Sequence, residues 1–124
     1  MSKRVLVVDD SLLMRRMIAD TLVDGGWEVV AEAADGQEAV QKFAEFRPEA
    51  VTMDIVMPGT SGLVALEGIL KLDPSAKVVV ISALNQTKTI SEAIRKGAHD
   101  FLAKPFMPEQ LQDTLAGCLE GTAV

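Results

Sequence analysis

The sequence predicts a doubly wound α/β domain, a single parallel sheet with helices on both faces. Short aliphatic runs alternate with amphipathic stretches five times along the 124 residues. The runs are mostly continuous rather than strictly alternating, as in strands buried on both faces. Four of them end on polar residues, which is where open α/β sheets place ligand chemistry.

The first run, residues 5–8, is Val5-Leu6-Val7-Val8 and stops at Asp9-Asp10-Ser11. Ser11 suits the N-cap of a helix carrying Met14, Met17, Ile18, Thr21 and Leu22 on its inner face, and Gly25-Gly26 ends it. Residues 27–31 read as a second strand, whose partial alternation suggests an edge or near-edge place. Asp35 and Glu38 have the spacing of a capping box. The helix they open turns Ala39, Val40, Phe43 and Ala44 inward and stops before Pro48.

The third strand ends on Asp54 and enters a turn through Pro58, Gly59 and Gly62. A helix with Leu63, Leu66, Ile69 and Leu70 on one face follows and breaks at Asp73-Pro74. Residues 78–81 form the fourth strand, ending at Ser82-Ala83. The next helix buries Ile90, Ala93 and Ile94, with Gly97 placed for a left-handed C-cap. Residues 99–103 make a fifth strand that runs into Lys104-Pro105. A last helix starts near Pro108 and carries Leu111, Leu115, Cys118 and Leu119, with residues 121–124 expected as a frayed tail. Right-handed crossovers then make a flavodoxin-like (βα)5 sheet of order 2-1-3-4-5 the economical topology, with residues 1–124 as one domain.

Composition narrows the function classes. The chain is 48% hydrophobic and 24% charged, which is globular rather than disordered. A net charge of −6 argues against direct nucleic-acid binding. A lone cysteine, Cys118, excludes an internal disulfide and fits a reducing cytoplasm. The apolar run after the basic start is too short for a signal peptide or a membrane span, so a soluble cytoplasmic protein is expected.

Under this topology Asp9, Asp10, Asp54, Ser82 and Lys104 meet in one crevice at the strand ends. Three carboxylates in a small space need a cation or raised pKa values. A hard divalent ion such as Mg²⁺ answers the first need, and its habit of bridging phosphate oxygens suggests phosphoryl transfer. An aspartate can act as the nucleophile and carry an acyl phosphate, while metal, ammonium and hydroxyl neutralise the transferred group.

Val-Val-Asp9-Asp10-Ser11, Met53-Asp54-Ile55-Val56-Met57-Pro58 with Gly62, Ile81-Ser82-Ala83 and Asp100-Phe101-Leu102-Ala103-Lys104-Pro105-Phe106 stand in order at strand ends. Together these motifs resemble the response-regulator receiver domains of two-component signalling along essentially the whole chain. The resemblance implies that Asp54 accepts phosphate from a histidine kinase. It also implies that Asp10 and Asp54 bind Mg²⁺ directly with the Val56 carbonyl, and that Asp9 acts mainly through water. Lys104 would contact the phosphate, and its bond to Pro105 would be cis. Ser82, with Ala83, would bind the phosphate as the switch, and Phe101 would rotate inward as Ser82 moves.

With no room seen for an output domain, the signal is expected to leave by protein binding through the surface of helix four, strand five and helix five. The start of helix one and the Val51-Thr52-Met53-Asp54 run resemble single-domain chemotaxis regulators of the CheY-like type. Those features imply a chemotaxis kinase and a flagellar motor switch target, and a monomer that can dimerise when phosphorylated. A receiver cut from a larger regulator remains the alternative. A haloacid-dehalogenase-type phosphatase would want an acid where Val56 stands, and a true flavodoxin would not place Asp9-Asp10 in an anion loop. Val56 and Leu84 occupy the positions where fast-hydrolysing receivers carry polar or acidic groups, so catalysis is expected to stop at self-phosphorylation and slow autodephosphorylation. Elsewhere the bland readings stand: Met14, Met17, Phe101 and Cys118 as packing, His99 as rim, and Arg15-Arg16 and Arg95-Lys96 as solvated helix faces.

Overall fold

The computed structural model describes residues 3–57, 59 and 61–120, the side chains of Leu84 and Glu120 excepted. The expected turn role of Pro58, the side chain of Leu84 and the tail at 121–124 lie outside the described residues. The chain runs β1 (Arg4–Val8), α1 (Leu12–Asp24), β2 (Glu28–Ala33), α2 (Gly36–Phe46) and β3 (Ala50–Asp54). It continues through α3 (Gly62–Leu72), β4 (Lys77–Ala83), a 3₁₀ turn (Leu84–Gln86), α4 (Thr87–Arg95), β5 (Asp100–Lys104) and α5 (Pro108–Glu120). All strand pairs are parallel and the order is β2-β1-β3-β4-β5, as the sequence predicts. The edge strand β2 pairs with β1 through a register shift between Val5 and Leu6, which passes over Val30 and accounts for its imperfect alternation.

The sheet divides two cores. On one face Leu6, Val8, Val51, Met53, Val78 and Val80 pack against Phe43, Leu66, Ile69 and Ala93 of α2, α3 and α4. On the other, Val5, Val7, Val79, Ile81 and Leu102 meet Ile18 and Leu22 of α1 and Leu111, Leu115 and Cys118 of α5. β3 is buried at every position, including Thr52.

Caps form where the sequence places them. Ser11 Oγ accepts from Met14 N–H at 3.2 Å, and Asp35 Oδ1 accepts from Glu38 N–H at 2.8 Å. Glu38 returns its carboxylate to Ala34 N–H, one residue ahead of the N-cap, so the box is closed around a wider loop. Gly97 sits at φ 114°, the left-handed C-cap expected of it.

Three helix residues depart from the periodicity. Met17 is 45% exposed and Ile94 is 42% exposed, and Ala44 also faces solvent. α1 and α4 turn narrower stripes inward, Ile18, Ala19 and Leu22 in one and Ile90 and Ala93 in the other, because a helix against one sheet face buries only part of its circumference. The solvated reading of Arg15 is also corrected, while Lys96 is exposed as expected. Arg15 Nε pairs with Glu32 Oε1 at 3.2 Å and is largely buried, while Lys96 Nζ pairs with Glu67 Oε1 at 2.6 Å and ties α4 to α3.

Two core residues give measurable expectations. Burial pushes the Cys118 thiol up to about 11, so little thiolate exists near neutral pH. Native protein should therefore resist a thiol reagent such as Ellman's reagent and react fully once denatured, and rapid native labelling would contradict that packing. Thr52 Oγ1 is fully buried between the β1 and β4 neighbours Val7 and Val79 without a hydrogen-bond partner among the described residues. Thr52→Val keeps the shape and removes the orphan hydroxyl, so urea unfolding should show a gain of about 1 kcal/mol.

Candidate functional site

The site lies at the carboxyl ends of β1, β3 and β5, at the switch in strand order between β1 and β3. Strand pairing brings its parts together. β3 lies between β1 and β4, and β4 carries Ala83 opposite Lys104 of β5. Lys104 then reaches back across β4, placing Nζ 3.2 Å from Asp54 Oδ2 and 3.8 Å from Asp9 Oδ2.

Asp9, Asp10 and Asp54 form one cluster, with a carboxylate oxygen from each within 4.8 Å of the others. Asp9 and Asp54 are buried, whereas Asp10 opens to solvent. Asp54 Oδ1 accepts from Val56 N–H at 3.1 Å, leaving Oδ2 on the ammonium. Asp9 Oδ1 accepts from Ser11 N–H at 2.9 Å, but its buried Oδ2 has no hydrogen-bond partner among the described residues. Burial raises the Asp9 carboxyl above its ordinary range. Asp54 and Asp10 add to the rise, while Ser11 N–H and Lys104 oppose it. An orphaned buried carboxylate oxygen facing two further acids is the donor set a hard cation requires, so the cluster can hold a metal.

The loop after β3 is held tightly. Ile55 N–H donates to Ile81 O at 3.1 Å, and Gly62 N–H donates to Ile55 O at 3.2 Å. A Cβ on Gly62 would lie 2.7 Å from Ile55 Cα and 2.9 Å from the carbonyl oxygens of Asp54 and Ile55, so the α3 N-terminus can approach only as glycine. Val56 beyond the acid is 55% exposed and purely aliphatic.

Ser82 is buried on the α4 side of the sheet, and its hydroxyl donates to Gln86 Oε1. Phe101 is 43% exposed rather than packed in the core, and lies over a hollow of about 450 Å³ with Thr87, Ile90, Ser91 and Ile94 of α4. The Lys104–Pro105 bond is cis. Met14, Met17, Lys104, Pro105 and Phe106 line a second hollow beside the carboxylates.

Arg15 escaped the sequence reading of the site. Its Nη1 donates to the Asp9 carbonyl at 2.8 Å while Nε holds Glu32, fixing the end of β1 behind the acids. A signal for it exists: a cation in the first turns of a helix opposes the macrodipole and so calls for a specific partner. Gln86 also escaped that reading, although its signal is local: a glutamine three residues after Ala83 has the spacing from which a side-chain oxygen reaches back to the N-cap N–H.

Residues 5–116 match the response regulator receiver domain family. A chemotaxis protein CheY of Thermotoga maritima is 48% identical over 115 residues, covering 93% of this chain and 96% of that protein. Among solved structures, the REC domain of AraT, a response regulator from Geobacillus stearothermophilus, superposes with a TM-score of 0.89 at 31% identity, covering 98% of this chain and 96% of that one. A chain in the CheX-CheY-BeF3-Mg complex from Borrelia burgdorferi superposes with a TM-score of 0.83 at 31% identity, covering 98% and 89%. The chain belongs to the response regulator receiver domain family.

Proposed function

We propose that Asp54 is the phosphate acceptor of this two-component switch and that its donor is the phosphohistidine of a histidine kinase. The observation that carries the reading is Asp54 Oδ2 held 3.2 Å from the Lys104 ammonium inside the three-acid cluster at the strand ends. In the transfer an Asp54 carboxylate oxygen forms the new bond to phosphorus, the phosphorus–nitrogen bond breaks, and the freed imidazole takes up a proton. The donors around Asp54 suit that step. Val56 N–H fixes the carboxylate orientation through Oδ1, and Lys104 stands ready to follow the charge as it moves onto the phosphoryl oxygens.

Asp10, Asp54 and the Val56 carbonyl would hold Mg²⁺ directly, with Asp9 acting mainly through water. Bound there, the ion neutralises charge shared between acid and phosphoryl group. Ser82 O–H and Ala83 N–H would take phosphoryl oxygens after transfer, and Phe101 would turn inward to fill the space Ser82 leaves. Residues 1–124 would act as one cytoplasmic receiver unit, monomeric at rest, with its own phosphorylation and dephosphorylation as the only chemistry. Chemotaxis is the pathway best supported, by the 48% identity to a chemotaxis protein, and a flagellar switch component is the corresponding partner. Among the described residues no helix is long and apolar enough to cross a membrane.

The test is intact-mass measurement after incubation with acetyl phosphate, with and without Mg²⁺. A single phosphoadduct that forms only with the ion is the expected result, and its absence sinks the reading. Trp27 is a poor reporter for this purpose, since it precedes β2 at the amino end of the sheet.

Hydrolysis should be slow. The exposed Val56 side chain has no group that can orient an attacking water, although it stands beside the acid. Phospho-protein freed of donor should persist for minutes or longer by phosphate release, and loss within seconds would contradict this.

A further inference from the structure

Two hydrogen bonds converge on one atom beside the acceptor pocket. Gln86 Oε1 accepts from the Ser82 hydroxyl and, at 3.1 Å, from the Ala83 backbone N–H. Gln86 ends the 3₁₀ turn and stands at the N-cap of α4, and its side chain folds back onto the end of β4. Ser82 is 1% exposed, so its hydroxyl requires an internal acceptor. Its other contact, the neighbouring Ala83 carbonyl at 3.3 Å, is the weaker choice.

These two donors are the ones assigned above to the phosphoryl group. A hydroxyl and an amide carry one proton each and serve one acceptor well at a time. We propose that Gln86 is an internal competitor for the phosphoryl group: its carboxamide oxygen holds Ser82 and Ala83 in the resting protein and must release both before they can turn to Asp54. The inference rests on the reading of Asp54 as acceptor.

The direction of the exchange follows from charge. A phosphoryl oxygen is the stronger acceptor, because hydrogen bonds to ionised groups exceed those to neutral amides. Gln86 therefore wins at rest and loses once the acyl phosphate forms. It is a positioning residue that sets the resting population of the switch. Release frees the side chain at the start of α4, one residue before Thr87 and the hollow that borders Phe101, so the event at β4 is transmitted to the helix directly.

The experiment titrates the full chain with beryllofluoride in excess Mg²⁺. Gln86→Met retains the length of the side chain and removes the acceptor. It should bind beryllofluoride about five- to tenfold more tightly, the effect of abolishing one or two competing hydrogen bonds. The gain should shrink in a Ser82→Ala background, where one released donor is gone. A merely structural role would lower the melting temperature and weaken binding equally in both backgrounds. A second measurement uses the unmodified chain. NMR should show the Gln86 carboxamide losing its contact with Ser82 and the Ala83 amide proton shifting on addition of beryllofluoride. Unchanged or weaker binding by folded Gln86→Met, an equal gain without Ser82, or a Ser82–Gln86 contact that survives beryllofluoride each overturns the proposal alone. A wild-type chain that takes up no beryllofluoride overturns the acceptor reading with it.

Discussion

Asp54→Asn abolishes the Mg²⁺-dependent phosphoadduct, with no residual adduct at the same site by intact mass. The amide is not a nucleophile, and no neighbour can replace it. Asp9 is buried with Oδ1 held by Ser11 N–H, and Asp10 opens to solvent. The variant should stay folded, because Asn retains the oxygen that accepts from Val56 N–H. A phosphoadduct that survives in Asp54→Asn would move the acceptor to another carboxylate and overturn the assignment of roles around it.

Gly62→Ala brings the largest expected loss from a single methyl group. The added Cβ meets backbone rather than side chain, at 2.7 Å from Ile55 Cα, so nothing can swing aside. Either α3 retreats, losing the Gly62 N–H bond to Ile55 O, or the segment after Asp54 shifts. Overpacking of this kind costs about 1–3 kcal/mol, measurable by denaturant unfolding. Since the displaced atoms belong to Asp54 and Ile55, phosphoryl uptake should also slow by about 10²-fold, the scale of an ångström's misplacement at a reacting group. Gly117→Ala is the control. Its Cβ meets nothing within 4 Å on α5, so helix propensity alone should raise stability by about 0.5–1 kcal/mol. Equal behaviour of the two variants would show that the close approach at Gly62 is unimportant.

The sequence by itself determined the fold and the membership of the acid cluster. Strands such as Val78-Val79-Val80-Ile81 announce themselves because burial on both faces leaves no polar position. Caps at Ser11 and Asp35 are local chemistry, complete within four residues, and the structure forms them where the pattern places them. Asp9, Asp10, Asp54 and Lys104 could be gathered in advance because parallel topology sends every strand end to the same edge.

What only the tertiary structure decided concerns side chains whose partners come from other elements. Periodicity put Met17, Ala44 and Ile94 inside, but how much of a helix is covered depends on the sheet beneath it and the helix beside it. Arg15 read as solvated until Glu32 arrived from β2, and the pairing of the exposed Lys96 with Glu67 of α3 likewise depends on a neighbouring element. Phe101 could have been core or surface; the hollow above α4 decides for the surface. Asp54, Ser82 and Gly62 could be named from the sequence, but their states could not. That Lys104 holds Asp54 follows from a distance between segments far apart in the chain, while Val56 N–H on Asp54, Gln86 on Ser82 and Ile55 against Gly62 are contacts within the turns after β3 and β4, whose shape is set by how α3 and α4 pack back on the sheet.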